Sequence, residues 1–179
     1  MPGGPARLIP TFPGADNGGP SWSRDGEWIY FCSNRAGGPA QLWKVPFKGG
    51  PPVAVTRNGG VFAADSADGR FLYYSKSQAS GIWKSALQGS EETRIILDQP
   101  EDWDAYSWAL VSDGIYFLKQ TPTKPDIEFF EFATRKRILI SSLNEPASGG
   151  LDVSPDGRSI IFVRQESYES NIMLVKGFQ

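Results

Sequence analysis

The sequence contains no histidine and a single cysteine. Without histidine, Ser-His-Asp and Cys-His catalysis are excluded, as is every His-ligated metal site. The lone Cys32 can form no intrachain disulfide, and its place in the apolar run Trp28-Ile29-Tyr30-Phe31-Cys32 reads as a buried, inert thiol. No apolar run approaches the roughly 18 residues that span a bilayer, so no membrane partner is expected. Met1-Pro2-Gly3-Gly4-Pro5 has neither the charged region nor the apolar stretch of an export signal. Positive charge is also in short supply. Lys+Arg 18 against Asp+Glu 20 gives a net charge of -2, which argues against nucleic acid as a partner. Finally, no stretch shows a helical period with caps. What is plentiful is turn chemistry: 20 Gly and 14 Pro in 179 residues, with 40% hydrophobic residues, suit many short strands around a real core.

A repeat organises those strands. Four segments read alike: Ser23-Arg24-Asp25-Gly26 before Trp28-Ile29-Tyr30-Phe31, Ser66-Ala67-Asp68-Gly69 before Phe71-Leu72-Tyr73-Tyr74, Ser112-Asp113-Gly114 before Ile115-Tyr116-Phe117, and Ser154-Pro155-Asp156-Gly157 before Ile160-Ile161-Phe162. Their Asp-Gly pairs at 25, 68, 113 and 156 are spaced by 43, 45 and 43 residues. An Asp-Gly flanked by β-prone residues is a hairpin signal, because these residues tolerate positive φ. A third strand recurs at Leu42-Trp43-Lys44-Val45, Ile82-Trp83-Lys84-Ser85, Ile127-Glu128-Phe129-Phe130 and Ile172-Met173-Leu174-Val175. A fourth follows in three units, at 52–56, 93–97 and 136–140. Four-stranded units near 43 residues have the period of β-propeller blades, which bury their apolar faces only by stacking on neighbours.

The first unit is the most complete. Pro20-Ser21-Trp22-Ser23-Arg24-Asp25-Gly26, then Ile29-Tyr30-Phe31-Cys32-Ser33-Asn34-Arg35, Leu42-Trp43-Lys44-Val45 and Gly49-Gly50, resembles the WD40-like PD40 repeat of TolB-type propellers. The same blade occurs in the propellers of prolyl-oligopeptidase-like peptidases. The second and third units are degenerate, with Asp65 where the family has Trp. The ending Ser170-Asn171-Ile172-Met173-Leu174-Val175-Lys176-Gly177-Phe178 is similar to the C-terminus of bacterial winged-helix PD40 proteins. The resemblance implies an all-β propeller of bacterial type, in cytoplasm or periplasm, with no catalytic residue to transfer.

The expected division is one propeller domain over 1–179: blade 1 at 20–56, blade 2 at 61–97, blade 3 at 103–140 and a three-stranded blade 4 at 150–179. The segment Ala6–Thr11 resembles the missing fourth strand. Propellers of this type resemble six- to eight-bladed rings, so the leading expectation is a homodimer. Two four-blade arcs would make one eight-bladed ring, each Ala6–Thr11 strand completing the last blade of its partner through strand exchange and blade flanks. The alternatives are part of a longer propeller and a closed four-blade ring.

Candidate sites follow from position. Trp22, Trp28, Trp43, Trp83 and Trp108 sit where blades stack and read as core. Trp103 lies among carboxylates in a connection at the edge of the central channel. Asp65, Asp102, Trp103, Asp104 and Asp152, near or on inner strands, are the ligand-binding candidates, with Asp16 and Glu101 nearby. Asp25, Asp68, Asp113 and Asp156 read as turn formers. Lys76, Lys119 and Arg164 recur at one strand position and read as structural ion pairs between blades. Arg135-Lys136-Arg137 reads as a solvated strand edge. No calcium-loop spacing, phosphate loop or GxSxG elbow occurs, so neither metal, cofactor nor catalytic residue is assigned. The expected function is a non-catalytic scaffold presenting channel and loop surfaces to a protein, peptide or small ligand. The alternative is a propeller hydrolase or lyase using acidic channel residues with Ca²⁺, or the non-catalytic part of a larger peptidase or regulator.

Overall fold

The computed structural model describes residues 6, 8, 9, 12–77, 79–87, 91–97, 105–166 and 169–176. Among these residues fifteen strands run in sequence order through four antiparallel sheets. Blade 1 holds β1 (Asn17–Trp22), β2 (Trp28–Ser33), β3 (Gln41–Pro46) and β4 (Val53–Ala54). Blade 2 holds β5 (Phe62–Asp65), β6 (Phe71–Ser75), β7 (Ile82–Ala86) and β8 (Glu92–Ile96). Blade 3 holds β9 (Trp108–Leu110), β10 (Gly114–Lys119), β11 (Asp126–Glu131) and β12 (Arg137–Ser142). In blade 4, β13 (Ala147–Val153), β14 (Ser159–Glu166) and β15 (Glu169–Lys176) form a three-stranded sheet. The chain is all-β, four blades in a propeller arrangement.

One turn design starts three of the blades. Ser23 Oγ donates to Asp25 Oδ1 at 2.6 Å, and the same carboxylate oxygen accepts the Glu27 N–H at 2.9 Å. Ser23 Oγ also accepts the Trp28 N–H at 2.8 Å, which fixes the start of β2. The pattern repeats for Ser66, Asp68, Arg70 and Phe71 and for Ser154, Asp156, Arg158 and Ser159. Each turn ends in a left-handed glycine, with φ of 71°, 66° and 69° at Gly26, Gly69 and Gly157. These hydrogen bonds hold Asp25, Asp68 and Asp156 below the usual carboxylate range, the serine hydroxyl being the main cause. The third turn differs. It is two residues shorter, Val111 N–H donates directly to Gly114 O, and Gly114 begins β10. A Cβ there would collide with Phe129 and the Phe130 carbonyl, so this glycine is needed for close approach.

Alternation along each strand sends one set of side chains to each flank of a blade. Tyr30 and Leu42 of blade 1 meet Ala63, Leu72 and Tyr74 of blade 2. Tyr73, Ile82 and Ile96 of blade 2 meet Trp108, Ile115 and Phe117 of blade 3. Leu118 and Ile127 of blade 3 meet Leu151, Ile160 and Phe162 of blade 4. Hydroxyls pin the inner edges together: Ser21 Oγ donates to Ala63 O at 2.8 Å, Ser75 Oγ donates to Ala105 O at 2.6 Å, and Ser107 Oγ accepts the Gly149 N–H at 3.1 Å. A further cluster lies on the flank of blade 1 away from blade 2, where Ile9 and Phe12 cover Phe31, Trp43 and Val45.

Three expectations need correction. Trp22 is 55% exposed rather than core, because it stands on that outer flank of blade 1. The recurring cations pair mainly within blades, not between them. Lys76 binds Glu92 at 2.7 Å inside blade 2, Lys119 binds Glu128 at 3.2 Å inside blade 3, and Arg164 meets Glu145 of the preceding connection at 3.6 Å. Cys32 is only half-buried, with burial pushing its thiol up. Of the expected strand at 6–11, residues 7, 10 and 11 lie outside the described residues, and Ala6, Leu8 and Ile9 belong to no described strand.

Candidate functional site

Clefts open between adjacent blades on the side where the Asp-Gly turns project. The cleft between blades 2 and 3 has a volume of about 330 Å³. Its wall is aromatic: Tyr73 stacks on Phe132 with ring centroids 5.3 Å apart, and Phe130 meets Phe132 edge-on at 6.2 Å. Lys84, on β7, places its Nζ 3.6 Å from the centroid of the Phe71 ring and 5.5 Å from that of Tyr73. Arg70 and Arg135 stand at the rim. Arg70 Nε donates to Asp68 Oδ2 at 2.6 Å. Among the described residues neither Lys84 nor Arg135 forms an ion pair. Three cations therefore face one carboxylate, Asp68, over an apolar floor.

Local backbone geometry sets the third cation. Arg135, in the turn from β11 to β12, has φ 58°, a left-handed conformation that a side chain rarely adopts. Its N–H donates to Glu131 O at 2.9 Å, closing the turn. Glycine would fit that turn without strain.

A second cleft, of about 470 Å³, lies between blades 1 and 2, and Arg70 lines both. Lys44 Nζ sits 4.4 Å from the Trp28 ring centroid, as Lys84 does over Phe71 in the next blade. Asp65 lines this cleft at the end of β5. Its Oδ2 accepts the Arg24 N–H at 3.1 Å, and its buried carboxylate faces the Tyr30 hydroxyl. Tyr30, on the same cleft, has its hydroxyl pKa pushed well up, first by burial and then by the Asp65 charge.

Of the other ligand-binding candidates, Asp152 is exposed on β13 and accepts the Val153 N–H at 2.8 Å. It stands on blade 4 and Asp65 on blade 2, with blade 3 between them, so the fold does not bring the two together. Asp102, Trp103 and Asp104 lie outside the described residues. Among the described residues no group of three or more Cys, Asp or Glu is gathered as a metal site. No described helix is long and apolar enough to cross a membrane. Sequence reasoning passed over Lys84 and Arg135. The recurrence of Lys after Trp at 43–44 and 83–84 was the available signal for the first.

The fold matches solved propellers. It is similar to TolB from Acinetobacter baumannii, with a TM-score of 0.73 and 16% identity over 95% of this chain and 43% of that one. A putative TolB from Agrobacterium tumefaciens gives 0.71 and 20%, covering 90% of this chain and 58% of that one. A puromycin-hydrolyzing peptidase from Mycobacterium tuberculosis gives 0.65 and 14%, covering 90% and 27%. The chain thus spans about half the length of the TolB structures it matches. No family model matches the sequence, and no curated protein matches it. At these identities the likeness is one of fold: a TolB-type β-propeller arrangement.

Proposed function

We propose that this chain is a non-catalytic binding scaffold whose clefts on the Asp-Gly turn side receive a peptide carrying a carboxylate next to an apolar residue. The observation that carries the reading is Lys84, half-buried over Phe71 and Tyr73 with no ion-pair partner among the described residues. A cation held on aromatic rings in a cleft offers a carboxylate a charge-assisted bond, and the rings offer apolar surface beside it. The shared TolB-type fold supports a scaffold in general and no particular ligand.

Selection of random peptides on the immobilised chain tests this. Enriched peptides should carry Asp, Glu or a free C-terminus beside an aromatic or aliphatic residue. Their affinity should fall with salt and drop at least about tenfold in Lys84→Glu, a loss of about 1.4 kcal/mol. Neutral or basic consensus peptides, or affinity unchanged in Lys84→Glu, would overturn the assignment.

The strained turn gives a separate prediction. Arg135→Gly should raise stability by about 0.5–1 kcal/mol by relieving the left-handed φ, while weakening the selected peptide. Thermal unfolding and a binding titration on the same sample read both. A variant that is less stable, or more stable with unchanged affinity, contradicts a binding role for Arg135.

A further inference from the structure

Apolar exposure is concentrated at the two ends of the row of blades. Ten large hydrophobic side chains are exposed among the described residues, and six of them are at those ends. On blade 4, Ile161 (42% exposed), Ile172 (77%) and Leu174 (51%) point away from blade 3, because their alternating neighbours Ile160 and Phe162 face it. At blade 1, Trp22 (55%) stacks on Phe47 (42%) with centroids 4.9 Å apart, and Leu8 is 89% exposed nearby in sequence. The remaining four lie on or beside the outer strands β4, β8 and β12.

The two ends are also complementary in backbone. Blades 1, 2 and 3 each have four strands, whereas the described sheet of blade 4 stops at β15, whose outer edge has no partner strand. At the other end, Ile9 packs where a side chain of an outer strand would. On or beside the outer strands of blades 1, 2 and 3, Val55, Ile96 and Ile140 each join the cluster between their own blade and the next. Ile9 stands in that same relation to blade 1, packed towards Phe31 and Trp43, but no described blade precedes it. Among the described residues one end thus lacks an outer strand, and the other holds Ile9 in the place of an outer-strand side chain.

We propose that a second copy of this chain covers both ends: blade 4 of each copy packs on blade 1 of the other, which brings Ile9 of each beside the sheet edged by β15 of its partner. The two contacts are identical, and with two copies the ring closes, so growth stops at the dimer instead of continuing into fibres. A single four-blade chain that closed on itself would bury the flank that Ile172 and Leu174 leave exposed.

Light scattering on a sizing column at tens of micromolar should give twice 19.6 kDa for the 179-residue chain. Ile172→Lys with Leu174→Lys should give a monomer, and so should Trp22→Glu with Phe47→Glu. All four positions are exposed within one chain, so both variants keep the native circular dichroism spectrum. An equimolar mixture of the two variants should recover dimer, because one of its two junctions then carries both sets of substitutions and the other carries none. A monomeric wild type, an assembly of three or more copies, a dimer that survives either variant, or a mixture that stays monomeric would each overturn the proposal. The last result would point to contact between like ends.

Discussion

Trp108→Ala should lower the unfolding free energy by about 3–5 kcal/mol, a large share of what a domain of this size possesses. Trp108 is 2% exposed at the centre of the contact between blades 2 and 3. Its ring meets Phe62 edge-on at 5.4 Å, and its Nε1–H donates to Ala105 O at 3.0 Å. Truncation removes the ring, opens a cavity between two sheets that cannot collapse onto each other, and leaves the Ala105 carbonyl with one fewer donor. Ser75 Oγ still donates to that carbonyl, so the polar loss is partial and the cavity dominates. Stacked repeats hold together through nearest-neighbour interfaces, so weakening this one should also split the transition into two. Denaturant unfolding followed by fluorescence and by circular dichroism reads both effects. A loss below about 1 kcal/mol would mean that the ring is not packed between blades.

Glu92→Ala should cost about 2–4 kcal/mol, because it strands a buried ammonium. Lys76 is 7% exposed, and its Nζ lies 2.7 Å from Glu92 Oε1 and 3.8 Å from the centroid of the Trp83 ring. Glu92 Oε2 accepts the Tyr74 hydroxyl at 2.6 Å as well. The loss stays short of a fully buried pair because the Glu92 side chain keeps 22% of its exposure. Lys76→Met combined with Glu92→Leu should recover most of the stability, since two apolar groups of similar size need no solvation. The pair also sets a pH dependence. Burial raises the Glu92 pKa, but hydrogen bonds from Lys76 and Tyr74 outweigh it, leaving the carboxyl below its usual value of 4.5. The folded state therefore favours the ionised form. Its contribution is complete above pH about 4.5 and is lost as pH falls through the folded value. Between pH 6 and 3 the wild type should lose more stability than the Met/Leu double variant. Parallel curves would show that Glu92 does not carry the difference.

Much of the architecture is written in local signals. Ser-x-Asp-Gly encodes its own hydrogen bonds, so three turns and the strands they launch were legible from spacing alone. The third hairpin was placed by its Asp-Gly too, but its tighter Val111–Gly114 closure without the serine cap was not legible. Trp22 looked like core because its place in the repeat is core when another blade precedes it. That depends on which blades are neighbours, which no single repeat states. Lys76, Lys119 and Arg164 were recognisable as structural, but their partners lie 9 to 19 residues away in sequence and were not.

The site was less legible for a related reason. Asp65 was singled out for the central channel, and the structure places it on a cleft between blades instead. Lys84 served only as a strand marker, and Arg135 looked like part of a solvated run. Each cleft is lined by two adjacent blades, a property of pairs of blades rather than of any segment.

The most direct measurement is a map of backbone amide shifts when the best selected acidic peptide is titrated into the labelled chain. The account predicts changes clustered at Ser66–Tyr73, Lys84, Leu110–Ser112 and Phe130–Arg135, with those at Lys84 and Arg135 absent in Lys84→Glu. Changes centred on Asp152 and the inner strands, with the clefts silent, would contradict it.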